Sequence, residues 1–398
     1  MGADIEYTCR SKDTFDFIVK VYKDCKGVSL SPIQMNIDGI GCSYSSSYTM
    51  TQISCSDITP VCKKSCSKCD RTNCNAYGYP NGGNSNCTFP YGIEKIVFKQ
   101  TIIFKGTNCC KFRVSYSQCC RNGAITTCCA GDNFYSYALF NRCLTPCNSS
   151  PTLSNDPVGM YCIGNCICFN NGAKDTSNYD SISYHLAPAL SDYGVNCIYQ
   201  GSYTYKYPLY YDGFPSIKKF NDKTCKGFGL DSITGDLCFK PMQQQVSVIA
   251  IEIKEWRKDS LGKMINIGTT RRDMQLIIMA NCTNKAPSLP SATQVGCAGE
   301  LICFSGIKSS DPDKKDTVLL TWNYGIPKGV FKAKFNGSGK QEFDFCWQTV
   351  DKDASNTPYF FTVKAIDDAC PLSGQFSRSY SILVKKNPQI NRVYINIG

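Results

Sequence analysis

Residues 162–169 read Cys-Ile-Gly-Asn-Cys-Ile-Cys-Phe, and residues 297–304 read Cys-Ala-Gly-Glu-Leu-Ile-Cys-Phe. Each stretch follows a proline-marked entry, Asn148-Ser149-Ser150-Pro151 in the first case and Asn284-Lys285-Ala286-Pro287 in the second. Each leads through a polar turn to an apolar run, Asp180-Ser181-Ile182-Ser183-Tyr184 or Asp316-Thr317-Val318-Leu319-Leu320. Further on, Leu237-Cys238-Phe239 answers Phe345-Cys346-Trp347, residues 248–253 answer 360–365, and residues 272–278 answer 378–384. Ordered self-similarity of this kind marks a duplicated structural unit. It divides this part of the chain into two homologous modules, 148–282 and 283–386. The apolar runs are short, bounded by Gly, Pro, Asn and Asp, and lack the long 3.6-residue period of helices. That pattern predicts an antiparallel β-sandwich of about seven strands in each module. Asp259-Ser260-Leu261-Gly262, between two apolar runs, reads as a hairpin turn. Within the repeat, Cys168 and Cys238 recur as Cys303 and Cys346, so a bond between the two members is expected as a staple shared by both modules.

Working outward, residues 1–147 have a different texture. The alternating runs at 15–22 and 96–104 predict strands of a third, Cys-rich β unit. Between them, residues 62–94 are rich in Cys, Asn, Gly and Ser and read as a long disulfide-pinned loop. Residues 387–398 read as a linker or the start of a further module, with Val393-Tyr394-Ile395-Asn396-Ile397 as its first strand. The chain holds 28 cysteines, 17 of them in the first 147 residues, against the single histidine His185. Such usage points to an oxidising, extracellular or cell-surface setting. Cys62, Cys66, Cys69 and Cys74 could offer zinc four thiolates, but only one C-x2-C spacing occurs among them, which favours disulfides. Adjacent strand residues face opposite sides, so the vicinal pairs Cys109-Cys110, Cys119-Cys120 and Cys128-Cys129 are each expected to reach two partners, or to stay as buried apolar thiols. Spacing alone leaves the connectivity open.

The net charge of +11 suits an acidic polysaccharide or another anionic extracellular polymer as partner. The basic residues are scattered and no nucleic-acid motif accompanies them. No run of ~20 apolar residues is long enough to span a membrane. The start, Met-Gly-Ala-Asp-Ile-Glu, has neither the basic nor the apolar part of a signal peptide. A catalytic thiol or serine would have to take its base from His185. No G-x-S-x-G elbow or phosphate-cradling glycine loop is present, and a non-enzymatic role is expected.

Glu6-Tyr7-Thr8-Cys9, Val21-Tyr22-Lys23-Asp24-Cys25, Cys119-Cys120-Arg121-Asn122-Gly123-Ala124-Ile125, Gly229-Leu230-Asp231-Ser232-Ile233-Thr234-Gly235 and Arg271-Arg272-Asp273-Met274-Gln275 together resemble the N-terminal region of large secreted Bacteroidota surface proteins. Proteins of that kind often end in gliding-motility-associated or type IX secretion sorting domains. The likeness spans about residues 4–282. The Leu-Asp-x-x-Thr-Gly segment is also similar to cadherin-like and Ig modules of bacterial adhesins. The resemblance implies an all-β fold of tandem Ig-like or cadherin-like sandwiches, exported, adhesive or structural, and joined end to end as a rod that could assemble into filaments through exposed strand edges.

Two sets of side chains stand out as ligand candidates. Asp311, Asp313 and Asp316 place three carboxylates in one loop, the hard oxygen chemistry that calcium prefers; the related loop of the preceding module, 175–180, has fewer acids. Tyr203, Tyr205, Tyr207, Tyr210 and Tyr211 form an aromatic group suited to a carbohydrate, the alternative reading of function. Sequons occur at Asn86, Asn148, Asn281 and Asn336.

Overall fold

The structure, a computed structural model, describes residues 2–27, 30, 32–69, 89–175, 180–222 and 224–387. The central part of the 62–94 loop, with Cys74 and Asn86, and the strand expected at 393–397 lie outside the described residues.

Eight strands build the first unit: β1 (Gly2–Ser11), β2 (Thr14–Asp24), β3 (Gln34–Ile40), β4 (Ser45–Thr49), β5 (Thr51–Asp57), β6 (Ile93–Ile103), β7 (Lys111–Gln118) and β8 (Phe134–Asn141). The run at 15–22 becomes β2 because its alternation puts Phe15, Phe17, Val19 and Val21 on one face. That face packs with Tyr7, Phe98, Phe104, Phe112 and Phe140 in one aromatic core. The run at 96–104 supplies β6, antiparallel to β2.

The second unit contains β9 (Thr152–Leu153), β10 (Gly159–Cys162), β11 (Ile167–Asn170), β12 (Ala173–Lys174), β13 (Ser181–Ala187), β14 (Leu190–Asp192), β15 (Val195–Asn196), β16 (Gly229–Leu230), β17 (Asp236–Phe239), β18 (Gln245–Lys258) and β19 (Met264–Met279). The third contains β20 (Thr293–Cys297), β21 (Leu301–Lys308), β22 (Val318–Trp322), β23 (Val330–Phe335), β24 (Gln341–Gln348), β25 (Tyr359–Asp367) and β26 (Gln375–Lys385). The third unit is a sandwich of the sheets β20-β26-β25-β22 and β21-β24-β23. The second repeats that order as β10-β19-β18-β13 and β11-β17-β16. In both, the first strand runs parallel to the last and the other pairs are antiparallel. This is the strand order of tandem Ig-like and cadherin-like β-sandwiches. Each repeated landmark falls on the corresponding strand. The Leu-Asp-x-x-Thr-Gly segment is the β16–β17 turn, where Asp231 Oδ1 accepts the N–H groups of Ile233 and Thr234. Gly235 closes that turn at φ +75°, with Tyr184 packed where a Cβ would stand.

The units do not form a rod. β19 pairs with β8 at Gly268↔Phe140 and with β1 at Asp4↔Arg272, so the sheet runs straight across the expected 147/148 boundary. Burial of both its faces from Ile267 to Met274 accounts for this, because one strand is enclosed by two units at once. The third unit packs against the second and is tied back to the first by Cys62–Cys370, with Val61 bridging to Leu372. An apolar junction of Phe89, Val158, Met160, Ile277 and Leu372 fills the space between them.

The disulfides revise one expectation, at Cys119-Cys120. Cys62 and Cys69 bond Cys370 and Cys25, which removes the zinc alternative. Cys109 and Cys110 reach different partners, Cys42 and Cys143. Cys119 and Cys120 instead bond each other, because they sit in the turn after β7 rather than on a strand that would point them apart. Cys128 and Cys129 are buried thiols. Cys168–Cys238 and Cys303–Cys346 are cross-strand bonds between directly opposed residues of β11/β17 and β21/β24. Cys9–Cys147, Cys162–Cys282 and Cys166–Cys225 are bonded as well.

Candidate functional site

The loop between β21 and β22 is shaped by its own acids. Asp311 Oδ1 accepts the Asp313 N–H at 2.8 Å, and Asp313 Oδ2 accepts the Lys285 N–H at 2.8 Å. The folded loop brings carboxylate oxygens of Asp311, Asp313 and Asp316 within 4.8 Å of one another. Asp367, the last residue of β25, faces this loop and accepts hydrogen bonds from Asn284 Nδ2 at both of its oxygens (3.0 and 3.3 Å). The Lys340 ammonium lies under the loop and donates to the backbone carbonyls of Asp313, Lys314 and Asp316, leaving the carboxylates to face one another. The second Asp311 oxygen is buried with no hydrogen-bond partner among the described residues. Burial, with Asp367 and Asp316 adding repulsion, pushes the Asp311 carboxyl up to about 6. Asp316 and Asp367 are also raised, by burial first and by neighbouring aspartates second. A cleft of ≈ 650 Å³ opens beside the cluster, lined by Asn281, Asn284, Asp313, Asp316, Ala369 and Leu372.

The repeat reveals a twin of this site that the spacing of acids in the loop does not show. Asp175, Asp180 and Glu255 also bring carboxylate oxygens within 4.8 Å of one another. They occupy the positions of Asp311, Asp316 and Asp367. Asn148 plays the part of Asn284, its Nδ2 donating to Glu255 Oε1 at 3.1 Å. Glu255 lies at the end of the module on β18, far from the loop in sequence, which is why the loop alone is poor in acids. Burial pushes Glu255 up to about 8, with Asp175 and Asp180 adding to the rise. One difference decides the chemistry. Arg257 reaches into the second-unit cluster and clasps Asp180 through Nε (2.7 Å) and Nη2 (2.6 Å). The third unit has Ala369 at the matching position, so its carboxylates have no such guanidinium.

The other candidates separate. Tyr203, Tyr207, Tyr210 and Tyr211 converge on Phe214, with ring centroids 5.3–6.4 Å away, and Tyr211 is buried. Tyr210 is exposed and Tyr203 and Tyr207 are half-buried, so these rings form a partly open aromatic cluster around Phe214. Tyr205 stands apart and lines a different cleft with Lys206, Ile217 and Phe220. His185 is exposed on β13, and its Nε2 lies 2.9 Å from Ser183 Oγ. Asn148 is buried and bonded to Glu255 and Arg257, so that sequon is closed to modification in the folded chain.

Sequence reasoning also missed a docking face. On β11 and β17, Ile167, Phe169, Leu237 and Phe239 point into the second unit, while Cys168, Asn170, Asp236 and Cys238 point the other way. The third unit covers that outer face with β25 and β26. The Asn170 N–H donates to Ser377 Oγ (2.7 Å), the Ser379 N–H to Asp236 Oδ1 (3.1 Å), and Thr362 Oγ1 to Asn170 Oδ1 (3.3 Å). Among the described residues, no other unit covers the same face of the third unit, around Cys303–Cys346 and Asp344. Leu301 is 60% exposed and Val330 55% exposed beside it.

No family model matches the chain, and no curated protein matches it. Among solved structures, human protocadherin-24 EC1-2 is 14% identical, covering 60% of this chain and 99% of that one, with a TM-score of 0.18. The protocadherin GammaB4 extracellular domain is 12% identical over 93% of this chain and 53% of that one, TM-score 0.19. Extracellular domains 3–5 of Drosophila OTK are 11% identical over 59% of this chain and 66% of that one, TM-score 0.17. Scores this low carry no weight for fold or function, and the fold assignment rests on the strand order above.

Proposed function

We propose that the protein is an extracellular, non-enzymatic adhesive or structural body whose uncovered third-unit face binds a second copy of the chain. The observation that supports this is the internal precedent: the matching face of the second unit already serves as a dock for the hydroxyl-bearing face of β25 and β26. The edge strand β4, Ser45-Ser46-Ser47-Tyr48-Thr49, offers similar chemistry at the far end of the first sheet. A contact between unlike surfaces closes into a ring where its rotation closes and propagates as a fibre where it does not. Wild-type protein is expected to self-associate in sedimentation velocity at concentrations up to roughly 100 µM, the range of a small interface. The double substitution Leu301→Glu, Val330→Glu should keep it monomeric with its melting temperature unchanged. Wild type that stays monomeric throughout sinks the idea.

We further propose that the Asp311 cluster takes calcium, supplying from outside the positive charge that Arg257 supplies to its twin. Oxygen donors only, a buried unpartnered carboxylate oxygen and mutual repulsion suit a hard divalent cation. The sign of the pH effect follows from the raised Asp311 pKa. A carboxyl that titrates higher when folded stabilises the fold fully below its unfolded value of 3.8, and that contribution is lost as pH rises through about 6. Calcium competes with those protons, so its benefit grows with pH. Calcium at about 100 times its dissociation constant should add about 2.7 kcal/mol of stability at pH 7.5 and much less at pH 5. Scanning calorimetry with millimolar calcium or magnesium checks this, and an undiminished calcium effect in Asp311→Asn would count against the site.

A further inference from the structure

Most described cysteines are in disulfides, yet Cys128, Cys129 and Cys197 are buried thiols gathered at one point. The backbone brings them together: the Cys129 N–H donates to the Ile198 carbonyl (3.4 Å), the Gln200 N–H to the Thr127 carbonyl (2.9 Å), and Cys128 bridges to Tyr199. Cys129 Sγ lies 2.6 Å from Cys128 Sγ and is also hydrogen-bonded to the Cys197 thiol. The middle residue, Cys129, holds φ +28°, a left-handed value that a side chain adopts only when its surroundings impose it. Ile125, Ala189 and Val248 pack with the three cysteines, and the buried Arg121–Asp273 pair lies beside them.

We propose that these three residues are a disulfide-exchange site in which Cys129 bonds alternately to Cys197 and to Cys128. Three thiols can form only one bond, so one sulfur is always left over within reach of it. A low-molecular-weight disulfide, RSSR, is the oxidant: the two thiols give up their protons and two electrons, Cys129–Cys197 forms, and two RSH leave. The Cys128 thiolate then attacks the Cys129 sulfur. The Cys128–Cys129 bond forms, the Cys129–Cys197 bond breaks, and the proton lost by Cys128 is taken up by Cys197. The first state ties the 119–132 turns to the β14–β15 hairpin. The second removes that covalent tie and leaves the hairpin, whose neighbourhood exposes Tyr193, Val195 and Ile198, held by its backbone hydrogen bonds.

The test uses the full chain equilibrated with glutathione disulfide, quenched in acid, alkylated under denaturing conditions and mapped without reduction. The expected result is one disulfide within the trio, with the alkyl label divided between Cys128 and Cys197. Cys128→Ser should give only the Cys129–Cys197 bond, and Cys197→Ser only Cys128–Cys129. Three labelled thiols in the wild type overturn the site, and label confined to one residue overturns the exchange. Because the label pattern is read in the wild type, the result decides the question even where a variant fails to fold.

Discussion

Replacing Arg272 with alanine is expected to destabilise the protein by about 3–5 kcal/mol, the penalty for orphaning one member of a buried ion pair. Arg272 and Asp4 are both wholly inaccessible. Arg272 Nε donates to Asp4 Oδ1 at 2.7 Å, while its other nitrogens reach Asp4 Oδ2, the Asn155 carbonyl and Asn171 Oδ1. Tyr22 donates to the same Asp4 oxygen as Arg272 Nη2, at 2.8 Å. Next along β19, Asp273 accepts both terminal nitrogens of Arg121 at 2.8 and 2.9 Å, again with both side chains inaccessible. Two ion pairs of opposite polarity thus lock one strand of the second unit into the first. Arg272→Ala leaves the Asp4 charge buried, with Tyr22 as its remaining side-chain hydrogen-bond donor among the described residues. Denaturant unfolding measures the loss. Asp4→Asn combined with Arg272→Met should recover part of it, since removing both charges is less harmful than removing one. A loss under about 1 kcal/mol for Arg272→Ala would show that β19 is held by its backbone pairing alone.

The second large effect is expected at Cys62–Cys370. Its partners are 308 residues apart in sequence, and cross-links across long loops restrict the unfolded chain most. Other bridges shorten the effective loop, which sets the expected cost of Cys62→Ser, Cys370→Ser at about 3–5 kcal/mol. The loss should also be local in its first expression. The Pro60–Cys62 and Pro371–Ser373 backbones are hydrogen-bonded to each other, and Leu372 packs into the junction, so the third unit should lift away from the first before either melts. Hydrogen exchange should therefore speed up at Cys62 and Ser373, whose N–H groups donate across this seam, ahead of the core of β25 and β26. Uniform loss of protection across all three units would contradict that order.

The two sandwiches were legible in the sequence because a strand that buries one face must repeat its apolar residues at a fixed place, and two copies of one fold therefore repeat the same landmarks. The matched Cys168/Cys238 and Cys303/Cys346 positions sit directly opposite each other on paired strands for the same reason. The Asp311 loop was visible as three acids in six residues. Its completion by Asp367 and Asn284 was not, since those residues come from a strand end and a module entry that only folding brings near. Arg257 is the sharpest case: as a lone basic residue beside a hairpin turn it carries no signal, yet in space it clasps Asp180 of one acidic cluster, and Ala369 at the matching place leaves the twin without that guanidinium. The β class, the duplication and the cysteine-rich character are readable from the chain, because alternation, repetition and cysteine number are local or compositional properties. That β19 belongs to two units, that the third unit folds back onto the first, and that its β21–β24 face is left open among the described residues emerge only on folding. Those outcomes depend on which buried charges and apolar faces meet across the chain, and no local pattern records such meetings.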